Sequence, residues 1–202
     1  MTPVAVGITQ RSLPPTEFGE RRYGLDSRWF RFLAACGLVP VPLPNLAGVA
    51  VHTAEALDLR GLILTGGDDL ARYGGPTPER DEAELALLGW ARAARRPVLG
   101  VCRGAQLLLD AHGSALEPVD GHVAARHVLS SGRSVNSYHR YAALSAPSPL
   151  RVTATCGGVV EAFDHEHAAI TGIMWHPERE EPAAPEDIRL VRELFGGPPC
   201  AR

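Results

Sequence analysis

The chain has 202 residues, of which 45% are hydrophobic and 21% are charged, so it has the composition of a globular protein with a sizeable core. Its formal net charge of −3 excludes the overall basic balance of many nucleic-acid-binding domains. All 20 basic residues are arginine, which excludes Schiff-base chemistry, Ser-Lys dyads and a phosphate loop that depends on lysine.

Short apolar runs alternate with helical patterns along the first half of the chain. The predicted strands are residues 4–8, 39–42, 61–65 and 97–101, and the predicted helices are residues 26–36, 79–95 and 104–112. Alternating strands and helices predict an α/β fold with a parallel sheet that is covered on both faces.

The second half has a different character. A polar segment at 117–140 precedes predicted strands at 151–155, 159–164 and 170–175 and a closing helix at 186–195. No repeat or low-complexity stretch divides the sequence. We therefore expect residues 1–202 to form a single domain.

The four cysteines are widely spaced and form no CxxC pair. This pattern predicts neither a zinc site nor a disulfide framework, and it favours reduced thiols in a cytosol. The N-terminus lacks the pattern of a secretory leader, and no apolar run approaches the roughly 18 residues of a membrane span. We expect a cytoplasmic protein with no membrane or nucleic-acid partner.

Cys102 lies in the sequence GVCRG at 100–104, where a predicted strand meets a predicted helix. A nucleophile at such a turn is held on a strained elbow, and flanking glycines avoid clashes. The helix N-terminus also stabilises negative charge. An ordinary buried cysteine is the alternative, but the elbow pattern favours a nucleophile.

The sequence WHPE at 175–178 follows another predicted strand. A thiol nucleophile needs a base, and the base needs an acceptor that orients it. His176 and Glu178 supply these two roles. Alone they would be read as a solvated surface turn, but together with Cys102 they complete a Cys-His-Glu triad.

Two further motifs support this interpretation. In TGGDD at 65–69, the glycines let the backbone approach a ligand, so we expect Gly66 to contact substrate. The N–H groups of Gly67 and Arg103 would form an oxyanion hole. The polar sequence VNSYH at 135–139 would grip the amino-acid end of a substrate. A plain glycine-rich turn and a plain polar loop are the respective alternatives.

The motifs TGGDD, GVCRGAQ, VNSYH and WHPE, in this order, resemble the class I glutamine-amidotransferase-like superfamily, in its γ-glutamyl hydrolase branch. The resemblance implies a flavodoxin-like three-layer sandwich with a mostly parallel sheet. It also implies a cofactor-free mechanism through a γ-glutamyl thioester, with Cys102 as nucleophile, His176 as base and Glu178 as its orienter. The positions implied to hold the glutamyl group are Gln106, Asn136, Ser137 and His139.

Within this branch, the chain departs from the γ-glutamyl-γ-aminobutyrate hydrolases. It is short, and HRYA at 139–142 stands where that group has a second histidine and a glutamine. The sequences GITQR, VNSYHRYA, EAFDHEH and IMWHPERE look more like γ-glutamyl-CDP-amidate hydrolases, which act in capsule polysaccharide biosynthesis.

The segment at 121–140 contains arginines and histidines but no Asp or Glu. This charge favours an anionic leaving group, bound by Arg126 and Arg133 through forked hydrogen bonds. A solvated basic loop explains the same composition equally well. The placement of the segment directly before the predicted substrate-binding residues favours the binding role.

Histidines at 122, 127, 165 and 167 suggest a metal cluster only superficially, because they lack HExxH spacing and a cysteine pair. We expect hydrogen-bonded or solvated histidines, no metal and no cofactor. The expected partner is a small γ-glutamyl substrate.

Two other functions stay open. The chain would also suit the glutaminase component of an amidotransferase that passes ammonia to a synthetase, although the sequence indicates no such partner. The third alternative is a catalytically silent binding protein on the same fold, against which the intact triad argues.

Overall fold

The apolar runs form the central sheet in a computed structural model that describes residues 4–196. Within this range the strands are β1 (Val4–Thr9), β2 (Arg11–Leu13), β3 (Arg22–Gly24), β4 (Leu38–Leu43), β5 (Leu62–Leu64), β6 (Val98–Val101), β7 (Glu117–Pro118), β8 (Val123–Val128), β9 (Ser134–Tyr138), β10 (Tyr141–Ala142), β11 (Leu150–Cys156), β12 (Val159–His165) and β13 (Ile170–Ile173). The helices are α1 (Arg28–Cys36), α2 (Ala47–Ala56), α3 (Pro78–Ala93), α4 (Arg103–Ala111) and α5 (Pro185–Gly196), with short 3-10 turns at Ala71–Tyr73 and Pro177–Arg179.

The central sheet of the described residues has seven strands in the order β11-β12-β13-β6-β5-β1-β4. The five strands from β13 to β4 are parallel to one another. β12 and β11 extend one edge as antiparallel strands. This arrangement confirms the predicted α/β class and the mostly parallel sheet.

Helices cover both faces because the parallel strands are apolar on both sides. In β5, Leu62 and Leu64 belong to the core shared with α2, α3 and α4. Ile63 points to the opposite core, where Phe32 of α1 and Phe195 of α5 are buried. Successive side chains of β5 thus point to opposite faces of the sheet and pack against the helices of the two outer layers.

Several parts of the fold differ from the sequence-based expectation, among them the β2–β3 hairpin, α2 and the segment at 117–140. α2 is absent from the predicted elements, since its segment AGVAVHTAEA has little helical amphipathicity and no side chain caps its start. The polar segment at 117–140 contains β8 and β9, which pair as an antiparallel hairpin outside the central sheet. Its arginines, histidines and serines hide the alternation that identifies a half-buried strand.

The part of the chain at 4–196 contains no helix that is both long enough and apolar enough to span a bilayer.

Candidate active site

Three neighbouring parallel strands deliver the predicted catalytic motifs to one edge of the sheet. β5, β6 and β13 are adjacent, and they lead into Gly66, Cys102 and His176, respectively. The carboxyl ends of parallel strands form the usual ligand crevice of an open α/β sheet.

Cys102 is a non-glycine residue at positive φ, with φ 52° and ψ −105° at the N-cap of α4. Such backbone conformations cost about 1–3 kcal/mol and persist only where the surroundings enforce them. Here the Cys102 N–H donates to the Ile173 carbonyl (2.8 Å), which ties the turn to the end of β13. The strain therefore fits the elbow predicted from the sequence.

The glycines on both sides of the elbow are required by packing. A Cβ at Gly104 would lie 2.1 Å from the Leu64 carbonyl oxygen, and a Cβ at Gly100 would lie 2.8 Å from the backbone nitrogen of Ala105. Only glycine lets α4 approach β5 and β6 this closely.

His176 and Glu178 form a buried hydrogen-bonded pair. His176 Nδ1 lies 2.8 Å from Glu178 Oε1, and the two side chains are almost fully buried. A Cβ at Gly66 would meet the His176 ring at 2.4 Å, and the ring of Tyr138 packs edge-on at 5.7 Å. The imidazole is therefore oriented on three sides, as a general base requires.

The groups around His176 determine the pKa of its imidazole. Burial lowers its pKa, but the Cys102 thiolate and then the Glu178 carboxylate outweigh that effect and raise the pKa to about 9. His176 is thus stabilised in its protonated form at neutral pH.

Asn136 of β9 clamps the backbone of His176 from both sides. Asn136 Oδ1 accepts from the His176 N–H (2.9 Å), and its Nδ2 donates to the His176 carbonyl (2.9 Å) and to Glu180 Oε1 (2.8 Å). The structure therefore gives Asn136 a positioning role towards His176. Its predicted contact with substrate stays a prediction.

Arg103, which follows Cys102, is anchored from α3. Its guanidinium binds Glu84 and Asp81, and Glu84 also accepts from Arg80 and from the Thr9 hydroxyl. Burial raises the pKa of Glu84, but the two arginines outweigh this and hold it below its usual value. The side chain of Arg103 thus fixes the elbow.

Arg80 also supports the glycine loop. Its Nη2 donates to the carbonyls of Thr65 (2.8 Å) and Gly66 (3.0 Å). Gly67 has φ 139°, and a Cβ there would lie 2.7 Å from Arg80 Nη1. The loop is therefore rigidly shaped, and the oxyanion hole of the Gly67 and Arg103 N–H groups stays a prediction.

Other predicted substrate-binding residues use their polar atoms within the protein. Gln106 Nε2 donates to the Tyr141 carbonyl (2.7 Å), and the Ser137 hydroxyl donates to the His122 carbonyl (2.7 Å). His139 is buried and faces Glu161, at 3.3 Å. These contacts are internal to the protein, and substrate contact by these residues stays a prediction.

The two predicted anion-binding arginines differ in environment. Arg126 is half exposed and pairs with Glu180 at 3.0 Å. Arg133 pairs with buried Asp187 at 2.6 Å and stacks over the Trp175 ring at 5.2 Å. Arg133 therefore braces α5, and only Arg126 of the pair has a largely accessible guanidinium.

Sequence reasoning did not single out Arg80, Glu84, Tyr138 or Glu161. Arg80 and Glu84 have the i, i+4 spacing of a helical ion pair, which was a usable signal. Glu161 carried none, because its neighbours are distant in sequence.

Comparison with known proteins agrees with this geometry. The model of the Peptidase C26 family matches residues 4–119 and 109–178. A γ-glutamyl-CDP-amidate hydrolase from Campylobacter jejuni is 28% identical, over 94% of this chain and 96% of its own. A γ-glutamyl-γ-aminobutyrate hydrolase from Escherichia coli O157:H7 is 27% identical, over 89% and 86%.

The fold recurs in a solved structure of a GMP synthase component from Thermoplasma acidophilum. It matches with a TM-score of 0.71 and 18% identity, over 97% of this chain and 94% of that one. This likeness confirms the predicted glutamine-amidotransferase fold.

Proposed function

This chain belongs to the Peptidase C26 family, and we propose that it hydrolyses γ-glutamyl amides through a covalent intermediate on Cys102. The observation that carries the proposal is the strained elbow at Cys102 together with the buried His176–Glu178 pair, whose histidine lies close enough to Cys102 for Cys102 to raise its pKa. We assign Cys102, His176 and Glu178 the roles of nucleophile, base and orienter that acyl transfer needs.

The reaction follows from these positions. With the thiol proton of Cys102 held on His176, the Cys102 thiolate attacks the γ-carbonyl of the substrate. His176 then protonates the leaving amine as the C–N bond breaks, which leaves a γ-glutamyl thioester. Water attacks the thioester with His176 as base, so that glutamate leaves and the thiol is restored.

The developing oxyanion needs donors that are already in place. We assign this role to the backbone N–H groups of Gly67 and Arg103. Support comes from the buried arginines: Arg103 is fastened to Glu84 and Asp81, and Arg80 holds the loop before Gly67.

For the leaving group, we propose a phosphoryl-bearing moiety such as that of γ-glutamyl-CDP-amidate. The Campylobacter relative that carries this name aligns over nearly the full length of both chains. The position of Arg126 supports this choice of leaving group. Arg126 pairs with Glu180, and Glu180 in turn accepts a hydrogen bond from Asn136, whose side chain also binds the His176 backbone. We assign the role of binding this leaving group to Arg126 rather than to Arg133, because the Arg133 guanidinium is paired with buried Asp187 and is less exposed than that of Arg126.

The test compares kcat/KM for γ-glutamyl-CDP-amidate, γ-glutamyl-γ-aminobutyrate and glutamine. We expect the phosphorylated substrate to react fastest. Arg126→Gln should lower its kcat/KM about tenfold, or about 1.4 kcal/mol, and leave glutamine nearly unchanged. Arg151→Gln is the matched control, since Arg151 is a similarly exposed, carboxylate-paired arginine on β11.

Equal losses on all three substrates for Arg126→Gln would contradict the leaving-group assignment. A preference for γ-glutamyl-γ-aminobutyrate would favour the alternative that the Escherichia coli relative represents. Turnover of glutamine only after a synthetase is added would instead identify a glutaminase component.

A further inference from the structure

Four buried side chains converge where the β8–β9 hairpin meets β12, and the reaction steps proposed above use none of them. They are three histidines and one glutamate: His122, His127, His139 and Glu161. Glu161 is fully buried, and none of the three histidines is more than 9% exposed. One ligand atom from each side chain lies within 4.8 Å of all the others.

The spacing of these atoms is that of a metal coordination shell. His122 Nδ1, His139 Nε2 and Glu161 Oε1 form a triangle with three sides of 3.3 Å. His127 Nδ1 lies a further 3.3 Å from the same oxygen. Tetrahedral zinc, with bonds of about 2.0–2.1 Å, separates its ligand atoms by about 3.3–3.4 Å.

Hydrogen bonding explains only part of the cluster, the contact between His122 Nδ1 and His139 Nε2. Among the described residues, both oxygens of Glu161 and Nδ1 of His127 are buried without a hydrogen-bond partner. A buried carboxylate costs several kcal/mol unless a cation or a set of donors compensates it. No arginine lies within ion-pair distance of Glu161 in the part of the chain at 4–196, so the histidines are the groups that face it.

In two of the histidine rings, the nitrogen that faces away from the cluster donates a hydrogen bond. The nitrogen that faces the cluster then carries a lone pair when the ring is neutral. His127 Nε2–H donates to the Gly121 carbonyl (3.4 Å), and His139 Nδ1–H donates to the Tyr141 carbonyl (3.2 Å). In the neutral rings, the inward nitrogens are then bare lone pairs that face a carboxylate. Carbonyl partners on the far nitrogen are typical of metal-binding histidines, because they fix the tautomer.

We propose that His122, His127, His139 and Glu161 bind one divalent transition-metal ion, with zinc preferred. Three imidazoles and one carboxylate suit zinc better than magnesium or calcium, which prefer oxygen ligands. Four protein ligands in a buried setting make a closed site, which is typical of a structural ion.

The position of the site indicates which elements of the fold the ion would hold together. His127 lies on β8 and His139 directly follows β9, whereas Glu161 lies on β12 of the central sheet. The ion would therefore fasten the β8–β9 hairpin to the sheet. Two links lead from there to the catalytic base: Asn136 of β9 holds the His176 backbone, and the Glu161 carbonyl accepts from the Met174 N–H.

The decisive measurement is the metal content of the full chain. The protein is produced with a tag that contains no histidine, in medium supplemented with ZnCl2, and is desalted before elemental analysis. We expect about one zinc per chain. Removal by a chelator should lower Tm by about 5–10 °C, and ZnCl2 should restore it.

Two variants and one control locate the site. His127→Ala and Glu161→Gln should each abolish stoichiometric zinc. His52→Ala, on the exposed face of α2, should retain it. If both variants fail to fold, CoCl2 added to chelated wild-type protein provides a second readout, because tetrahedral Co²⁺ absorbs visible light far more strongly than octahedral Co²⁺.

The outcomes are separable from those of the hydrolase assignment, since metal content requires no turnover. Substoichiometric zinc in the wild type, with no tetrahedral Co²⁺ spectrum on reconstitution, would overturn the proposal. Stoichiometric zinc that persists in both His127→Ala and Glu161→Gln would overturn it as well.

Discussion

At the scale of single residues, Cys102 differs from the other described cysteines in its neighbours. Burial raises the pKa of the Cys36 thiol to about 12 and also raises that of Cys156, whereas Cys102 faces the His176 imidazolium. Iodoacetamide at neutral pH should therefore modify Cys102 first, because the thiolate is the reactive form. Peptide mass mapping during the time course of inactivation measures this order.

Two matched variants distinguish the nucleophilic cysteine from a cysteine without a catalytic role. Cys102→Ala should lose nearly all turnover, and Cys156→Ser should retain both activity and the labelling pattern. Cys200 lies outside the described residues and serves as an internal comparison. Inactivation that follows the labelling of Cys36 or Cys156 would exclude Cys102 as the nucleophile.

The pH profile belongs to the same scale. The pKa of His176 is raised to about 9 in the folded protein, above its ordinary value of 6.5. Its charge therefore stabilises the fold fully below pH 6.5, and this contribution is lost as the pH rises through about 9. The kcat/KM should fall on the alkaline side with an apparent pKa near 9.

Glu178→Gln should move that alkaline limb to lower pH, because Glu178 is one of the groups that raise the pKa of His176. Activity should also fall by roughly tenfold or more, and a titration of kcat/KM between pH 6 and 10 shows both effects. An unchanged limb in Glu178→Gln would mean that Glu178 does not orient the base.

At the scale of elements, the elbow depends on how closely α4 approaches β5. Gly104→Ala should destabilise the protein by at least about 2 kcal/mol, because its Cβ would overlap the Leu64 carbonyl at 2.1 Å. Gly89→Ala, in the middle of α3 with nothing within 4 Å, should be neutral or stabilise by about 0.5–1 kcal/mol. Urea unfolding of both variants gives the comparison, and equal stabilities would contradict the packing argument.

The ion pairs between α3 and α4 form a second support. Glu84→Gln should destabilise by about 3 kcal/mol, because buried Arg80 and Arg103 lose their shared partner. The pKa of Glu84 is lowered in the fold, so its contribution is complete above its ordinary value and is lost as the pH falls. Stability of Glu84→Gln should therefore depend less on pH in acid, and exposed Glu82→Gln should match the wild type.

The sequence predicts an element well when the residues that determine it are neighbours along the chain. The strands that lead into Thr65, Cys102 and His176 have apolar runs beside glycine or proline, so the sheet and the strand ends that carry these residues were predictable. α2 lacks a cap and an amphipathic pattern, and packing against α3 decides its conformation. The support of Arg103 by Glu84 joins residues 19 positions apart, so no local pattern reveals it.

At the scale of the whole molecule, two separate sets of contacts hold the candidate active site. The α3 ion pairs fix the elbow and the glycine loop, and the β8–β9 hairpin fixes His176. The histidine cluster escaped sequence reasoning because its fourth member, Glu161, lies on β12, distant in sequence from the three histidines around β8 and β9. The sequence suggested a group of His122, His127, His165 and His167. In the fold, His122 and His127 lie next to His139 instead.

The central claim is that Cys102 carries a γ-glutamyl thioester during turnover. The most direct measurement is intact and peptide mass spectrometry after acid quenching of enzyme mixed with a γ-glutamyl amide. We predict one glutamyl group on the peptide that contains Cys102 in the wild type, and none in Cys102→Ala. Turnover by the wild type with no glutamyl adduct on Cys102, or retained turnover in Cys102→Ala, would contradict the account.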